Sequence, residues 1–451
     1  MFSQVVLSSL LLIGTARVDE DWSHWRGPHF DGSTEAENLP TEFSRTEGVL
    51  WKLELPGPGA STPIVSGGRV YLTAIEPEGG QLVAVCVDEA TGETLWQKPV
   101  SSGYRPKGAG EATWIHPRSN YASPSPVTDG RRVVFFFGNG DLMAFSPKGE
   151  QLWARNLQKD YGDFCFQWTF SSSPTLFEDR LYLQILQRDE PVRDIGAADS
   201  PSFLLALDPD TGKEIFKHVR PSPAVRESLE SYATPIPHVK ADGSKEILVV
   251  GGDVLTGHDP TTGKELWRWG TWNPGHREVW WRLVPSVVIG DGVALVCAPK
   301  KAPVYAVRLG GEGDLGEDGL VWKSDGRPNP VSSDVPTPLF YRGKFYVLSD
   351  VNGSISQVAP KTGEVEWTRE LPGRALWRSS PTGADGKIWL MNHAGEVTIL
   401  DAKSGDILNR IPMGDEDEDR IRSSLAIAND RLFIRTNTHL FCVGARKDSG
   451  Q

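Results

Sequence analysis

A nine-residue pattern recurs along the chain: DEATGETLW (88–96), DPDTGKEIF (208–216), DPTTGKELW (259–267), APKTGEVEW (359–367) and DAKSGDILN (401–409), with a shortened SPKGEQLW at 146–153. A polar run ending in Gly, followed four residues later by one large side chain and returning about every 40 to 60 residues, is the mark of a repeat architecture. The chemistry of the pattern says what each repeat does locally. An Asp at the end of a strand can accept hydrogen bonds from backbone N–H groups of the turn, and Gly supplies a left-handed residue. The chain then returns as an outer strand, whose Trp has the area to pack against the next repeat.

Each unit opens with a Ser/Thr/Pro cluster and an apolar stretch, at STPIV (61), SPSPV (123), SSSPTL (171), ATPIP (233), VPSVV (284), VPTPL (335), SSPTG (379) and SSLAI (423). Alternating apolar residues and Gly-bearing turns follow, as in GGRVYLTA (67–74) and GKFYVLS (343–349), and these read as antiparallel hairpins. A four-stranded unit cannot bury both faces alone. Eight of them around one axis predict an all-β, eight-bladed β-propeller of four-stranded antiparallel blades. The last unit lacks its outer strand, while GVLWKLEL (48–55) precedes the first opening. That N-terminal strand is expected to complete blade eight and close the ring. The docking positions then read Trp51, Trp96, Trp153, Phe216, Trp267, Trp322, Trp367 and Asn409, with blade seven degenerate.

The organisation predicted is a signal peptide at 1–16, an N-terminal extension at 17–48, the propeller at 49–445 and a tail at 446–451. The apolar run VVLSSLLLIGTA (5–16) is too short to span a bilayer and ends in small residues, so it reads as a secretion signal for a periplasmic or secreted protein. A formal charge of −12 disfavours nucleic acid and anionic membranes as general partners. Cys86, Cys165, Cys297 and Cys442 form no C-x-x-C pair; buried free thiols are expected, a disulfide being open if the protein is exported.

The repeats resemble those of the pyrroloquinoline-quinone (PQQ) repeat family, of the form A/D-x-x-T-G-x-x-x-W, and in particular its BamB-like non-enzymatic branch. WSHWRGPHFDG (22–32) resembles the lead-in of exported proteins of that kind. The resemblance implies an eight-bladed propeller over 49–445. In quinoprotein dehydrogenases of this fold, PQQ is held by an adjacent-cysteine disulfide, a stacking Trp and a calcium set of Glu, Asn and Asp. No two cysteines are adjacent here, and no calcium set can be matched, so no catalytic residue and no metal ligand is assigned.

Other motifs add no chemistry. GEGDLG (311–316) satisfies G-x-G-x-x-G, but acidic residues and a short strand follow it rather than a helix, so it reads as a loop inserted in blade five. There is no H-E-x-x-H, G-x-S-x-G or P-loop. The segments that join each outer strand to the next inner strand should all emerge on one face and lead to the central channel. Several are long and rich in aromatic and basic residues, and they place Trp114, His116, Arg118, Trp168, Trp281, Arg282, Trp377, Arg378 and Arg422 as candidates for one funnel mouth. As exposed rim charges, the arginines would add little to stability. The function expected is a monomeric, non-catalytic scaffold that binds a protein partner or a glycan at this face without a cofactor. The alternative is a dehydrogenase dependent on PQQ and calcium.

Overall fold

The computed structural model describes residues 21–77, 80–104, 120–192, 194–270, 272–326 and 329–445. Among the described residues, eight sheets follow one another along the chain, each with four antiparallel strands and one with a fifth strand added in parallel. Blade one is typical: Ile64–Ser66 lies innermost, followed outward by Arg69–Ile75, Leu82–Asp88 and Thr94–Val100. The two middle strands are buried almost throughout, because neighbouring blades cover both their faces, while the outer strand alternates.

Blade eight is assembled from both ends of the described chain. Strand Val49–Glu54 pairs antiparallel with His439–Gly444, Trp51 standing opposite Cys442 and Leu53 opposite Leu440. Arg435 ties the closed seam. It is fully buried and donates to the carbonyls of Ser61 (3.1 Å) and Thr73 (2.6 Å) in blade one. With no carboxylate beside it, burial pushes its guanidinium down to about 9.

The recurring turn is built as its chemistry requires. Asp88 Oδ1 accepts from the N–H groups of Ala90 and Thr91 at 3.0 and 2.9 Å, and Asp259 does the same for Thr261 and Thr262. Gly92 has a φ of 76°. A second demand falls on the same glycine: a Cβ there would come within 2.6 Å of the Trp51 ring from the preceding blade. Trp96 lies in the same way on Gly149, Trp153 on Gly212, Phe216 on Gly263, Trp322 on Gly363 and Trp367 on Gly405. Four of the indoles also donate Nε1 to a carbonyl of the turn they cover, as Trp51 does to Glu89 at 2.8 Å.

Two docking positions depart from this scheme for topological reasons. Blade eight takes its last strand from the N-terminus, so no repeat turn faces blade seven. Asn409 donates instead to the carbonyl of Thr41 at 2.7 Å, in the N-terminal extension. Trp267 is fully buried but covers no turn of blade five, correcting its assignment as an inter-blade dock. It lies on Gly257 within its own blade and donates to Glu246 at 2.8 Å. The inserted loop is the cause: Gly313–Asp314 runs parallel to the outer strand Glu265–Trp269 as a fifth strand. Trp269 takes over the junction, against Gly319 and the Tyr305 ring. All four cysteines are free and buried.

Candidate functional site

The Ser/Thr openings do more than begin strands. Thr62, Ser125, Ser173, Thr234, Ser286, Thr337, Ser380 and Ser424 each donate their backbone N–H to the hydroxyl oxygen of the next in the series, and Ser424 returns to Thr62, at 2.8–3.3 Å. One hydroxyl per blade thus forms a closed ring around the axis. The inner strand of each blade is an edge, and this ring satisfies one N–H on each of them.

One end of the channel is closed by the N-terminal extension. The Trp22 carbonyl accepts from Val65 of blade one at 2.9 Å, and Ser23 from Thr128 of blade two at 3.1 Å. His24 Nε2 bonds the Leu176 carbonyl of blade three at 2.9 Å. The chain crosses the axis and continues around the far side, where Asp31 accepts from Phe340 of blade six and Gly32 from Gly383 of blade seven. Trp22 and Arg26 are fully buried in this plug. Gly32, at a φ of 91°, lies so close to the Arg26 guanidinium that a Cβ would overlap it.

Above the plug lies a cavity of about 290 Å³. Trp25 of the plug lines it, as do Trp168, Tyr232, Leu376 and His393 from the loops and six of the ring residues. The structure brings Trp168, Arg282, Arg378 and Arg422 together around this space. Trp281 and Trp377 do not line this cavity. Trp377 is 2% exposed in the core between blades six and seven, and its neighbour Leu376 faces the cavity instead. Trp281 packs against the core of blades four and five. In an extended segment adjacent side chains point opposite ways, so the arginine or leucine next to each Trp takes the axial direction. Trp114, His116 and Arg118 lie outside the described residues.

The arginines are not loose rim charges. Arg282 makes a bidentate pair with Asp334, both contacts at 3.0 Å, and Arg378 bonds Asp350. Burial opposes the ionised form of Asp334, but the Arg282 fork holds its carboxyl below the usual range. Burial dominates at Asp350, pushed up to about 6 despite Arg378. Beside Arg282, whose Nε is 4.0 Å from Glu227, Trp168 donates its indole N–H to Glu227 at 3.0 Å and its backbone N–H to the Tyr232 hydroxyl at 3.1 Å. Tyr232 in turn donates to Glu230 at 2.5 Å, a fully buried carboxyl that also pairs with Arg188. Burial pushes Glu230 up to about 7. His393 is 9% exposed, and its Nε2 has no hydrogen-bond partner. Burial, then the charges of Arg422, Arg378 and Arg420, push this imidazole down to about 3.

Among the described residues, no three His, Cys, Asp or Glu side chains are grouped to hold a metal ion. Asp334 and Asp350 stand behind the arginines, and among the described residues no carboxylate lines the cavity. The described residues that line the cavity thus offer no carboxylate to a calcium ion, and no redox step is derived. No helix of the described residues is long and apolar enough to cross a membrane.

The model of the family described as outer membrane protein assembly factor BamB matches residues 41–183, 85–313 and 250–451. The chain belongs to this PQQ-like repeat family. Solved structures of the same fold include BamB from Moraxella catarrhalis, with a TM-score of 0.60 and 13% identity over 89% of this chain and 99% of that one. A europium-containing methanol dehydrogenase aligns with a TM-score of 0.68 and 10% identity over 95% and 99% of the two chains. The quinohemoprotein alcohol dehydrogenase of Comamonas testosteroni gives 0.63 and 12% over 96% and 82%. At such identities the likeness establishes the fold alone, which this BamB-family chain shares with assembly factors and dehydrogenases. No curated protein matches in sequence.

The sequence reading missed Trp25, His393 and the hydroxyl ring. The ring had a signal in the eight Ser/Thr openings, which recur at the repeat period but were read only as strand starts. Trp25 sat in a motif with no visible spatial partner, and His393 carries no local signature.

Proposed function

We propose that this BamB-family chain is an exported, non-catalytic, monomeric propeller that binds a partner through the open end of its channel. The partner is a protein segment or a glycan, and no cofactor is involved. One observation carries the reading: the plug turns the axial channel into a one-ended cavity whose wall, among the described residues, combines two tryptophans with three arginines and no carboxylate. Convergent polar groups on an otherwise rigid, partly apolar concavity are what a ligand site requires. Export, to the periplasm or beyond the cell, rests on the apolar run at 5–16.

The test is a titration of the purified full chain with saccharides and with peptides bearing a free C-terminus, read by calorimetry and tryptophan fluorescence. Saturable one-to-one binding, weakened at least tenfold by Trp25→Ala and by Arg422→Gln, is expected. Binding that neither substitution touches would place the ligand elsewhere and contradict the reading.

A further inference from the structure

Among the described residues, the charged side chains that line the cavity are of one sign: Arg282, Arg378 and Arg422 face it and no Asp or Glu does, on a chain whose formal charge is −12. The acids that balance Arg282 and Arg378 lie behind them, so a ligand meets N–H groups first. The ring adds donors of its own. Each ring oxygen already accepts a backbone N–H, and among the described residues none of these hydroxyls gives its proton to another protein group. Six of them line the cavity.

His393 points to the same chemistry independently. More than nine-tenths buried and lining the cavity, it has an Nε2 with no protein partner. A buried polar atom left unsatisfied is destabilising, and a ligand oxygen in the cavity would satisfy it once the Nε2 tautomer carries the proton. The surfaces of Trp25 and Trp168 supply the apolar contact. The space, about 290 Å³, is at the small end of ligand pockets and is closed below by the plug. It therefore takes one compact unit, entering end first.

We propose that the cavity binds the acidic terminal unit of a saccharide, a hexuronate or a sulfated hexose, with its ring on Trp25 and its acid group among Arg378, Arg422 and His393. This rests on the functional reading above and names its ligand class. A peptide end would also bring a carboxylate, but it offers few oxygens to a wall lined by six ring hydroxyls, whereas a sugar carries a hydroxyl on most of its ring carbons, each able to accept from that wall and to donate to it. Sugar hydroxyls accept from the wall all round.

The test uses the full chain with glucuronate, glucose 6-sulfate, glucose and a peptide with a free C-terminal carboxylate, by calorimetry and tryptophan fluorescence. At least one acidic sugar is expected to bind one-to-one, tenfold or more tighter than glucose or the peptide, and the carboxylate and sulfate arms tell the two acids apart. Arg422→Gln and His393→Asn, checked by an unchanged melting temperature at neutral pH, should each weaken it severalfold or more. Glucose or the peptide binding as tightly as the acids, with the binding lost in Trp25→Ala, would overturn the acidic-saccharide inference and leave the cavity reading standing. So would acid binding unchanged by both charge-site variants. No saturable binding by any of the four would overturn both.

Discussion

The two ends of the channel are closed and opened by different physical means. At the closed end a single segment, residues 22–34, offers backbone carbonyls to inner-strand N–H groups of blades one, two, six and seven. Its fully buried Trp22 and Arg26 fix it there. At the open end side chains from separate loops are held by ion pairs and by a chain from Trp168 through Tyr232 to Glu230. Backbone pairing, pinned by a few buried side chains, gives a fixed floor. Side-chain pairing gives a wall whose charge can be set residue by residue, which is what a binding face needs.

The largest expected effect is at the floor. Removing residues 21–34 should strip the partners from those inner edges and expose Trp22, and the outcome expected is loss of cooperative unfolding or a large fall in melting temperature. A milder version, Trp22→Ala, should cost about 3–5 kcal/mol by chemical denaturation. A deletion variant as stable as the parent would show that the segment merely decorates the ring.

Next comes the wall. Arg282→Ala leaves Asp334 without its bidentate partner in a buried setting, and about 2–4 kcal/mol should be lost. That revises the expectation that these arginines are dispensable rim charges. Adding Asp334→Ala should recover part of the loss; a double variant no better than the single would mean that Arg282 acts through packing alone.

How much of this was legible in the sequence follows from the same contrast. The turn motif carries its reason locally, in Asp88 bonding residues two and three ahead, and so blade number, ring closure and most docking positions could be read. The floor could not. Its contacts join Trp22 to Val65, His24 to Leu176 and Gly32 to Gly383, and only the closed ring brings those residues together. Arg282 and Arg378 were legible as basic residues in axial loops, but their buried partners Asp334 and Asp350 were not, since the pairings cross between blades. The inserted loop after Arg308 was recognised, yet its displacement of Trp267 depends on a parallel strand pairing that no local pattern announces.

Acid should act on both ends. Burial holds His24 of the floor down at about 4 and His393 of the wall at about 3, against 6.5 for a free imidazole. Their folded-state values are depressed, so this contribution is full above pH 6.5 and is lost as the unfolded chain takes up protons below it. At pH 5 each should have lost about 1–2 kcal/mol. Glu230 and Asp350, raised to about 7 and about 6, work the other way: their contribution is present at low pH and fades as pH rises through those values. Denaturation curves of the parent, His24→Gln and His393→Gln between pH 7 and 5 separate the two. Each substitution should flatten the fall, and an unaltered slope in both would show that the imidazoles titrate normally.

The smallest stability effect is expected at Arg422, where Arg422→Gln keeps a hydrogen-bonding side chain and should cost less than Arg282→Ala while weakening ligand binding. A stability loss as large as that of Arg282→Ala would make it part of the framework rather than of the binding face.

The most direct measurement on the central claim, a binding cavity rather than a redox centre, is a titration of the purified full chain with PQQ and calcium. It is followed by quinone absorbance and by dye reduction with alcohols and sugars. The expected result is no stoichiometric calcium-dependent complex and no substrate-dependent dye reduction. A one-to-one PQQ complex that reduces the dye when substrate is added would contradict it.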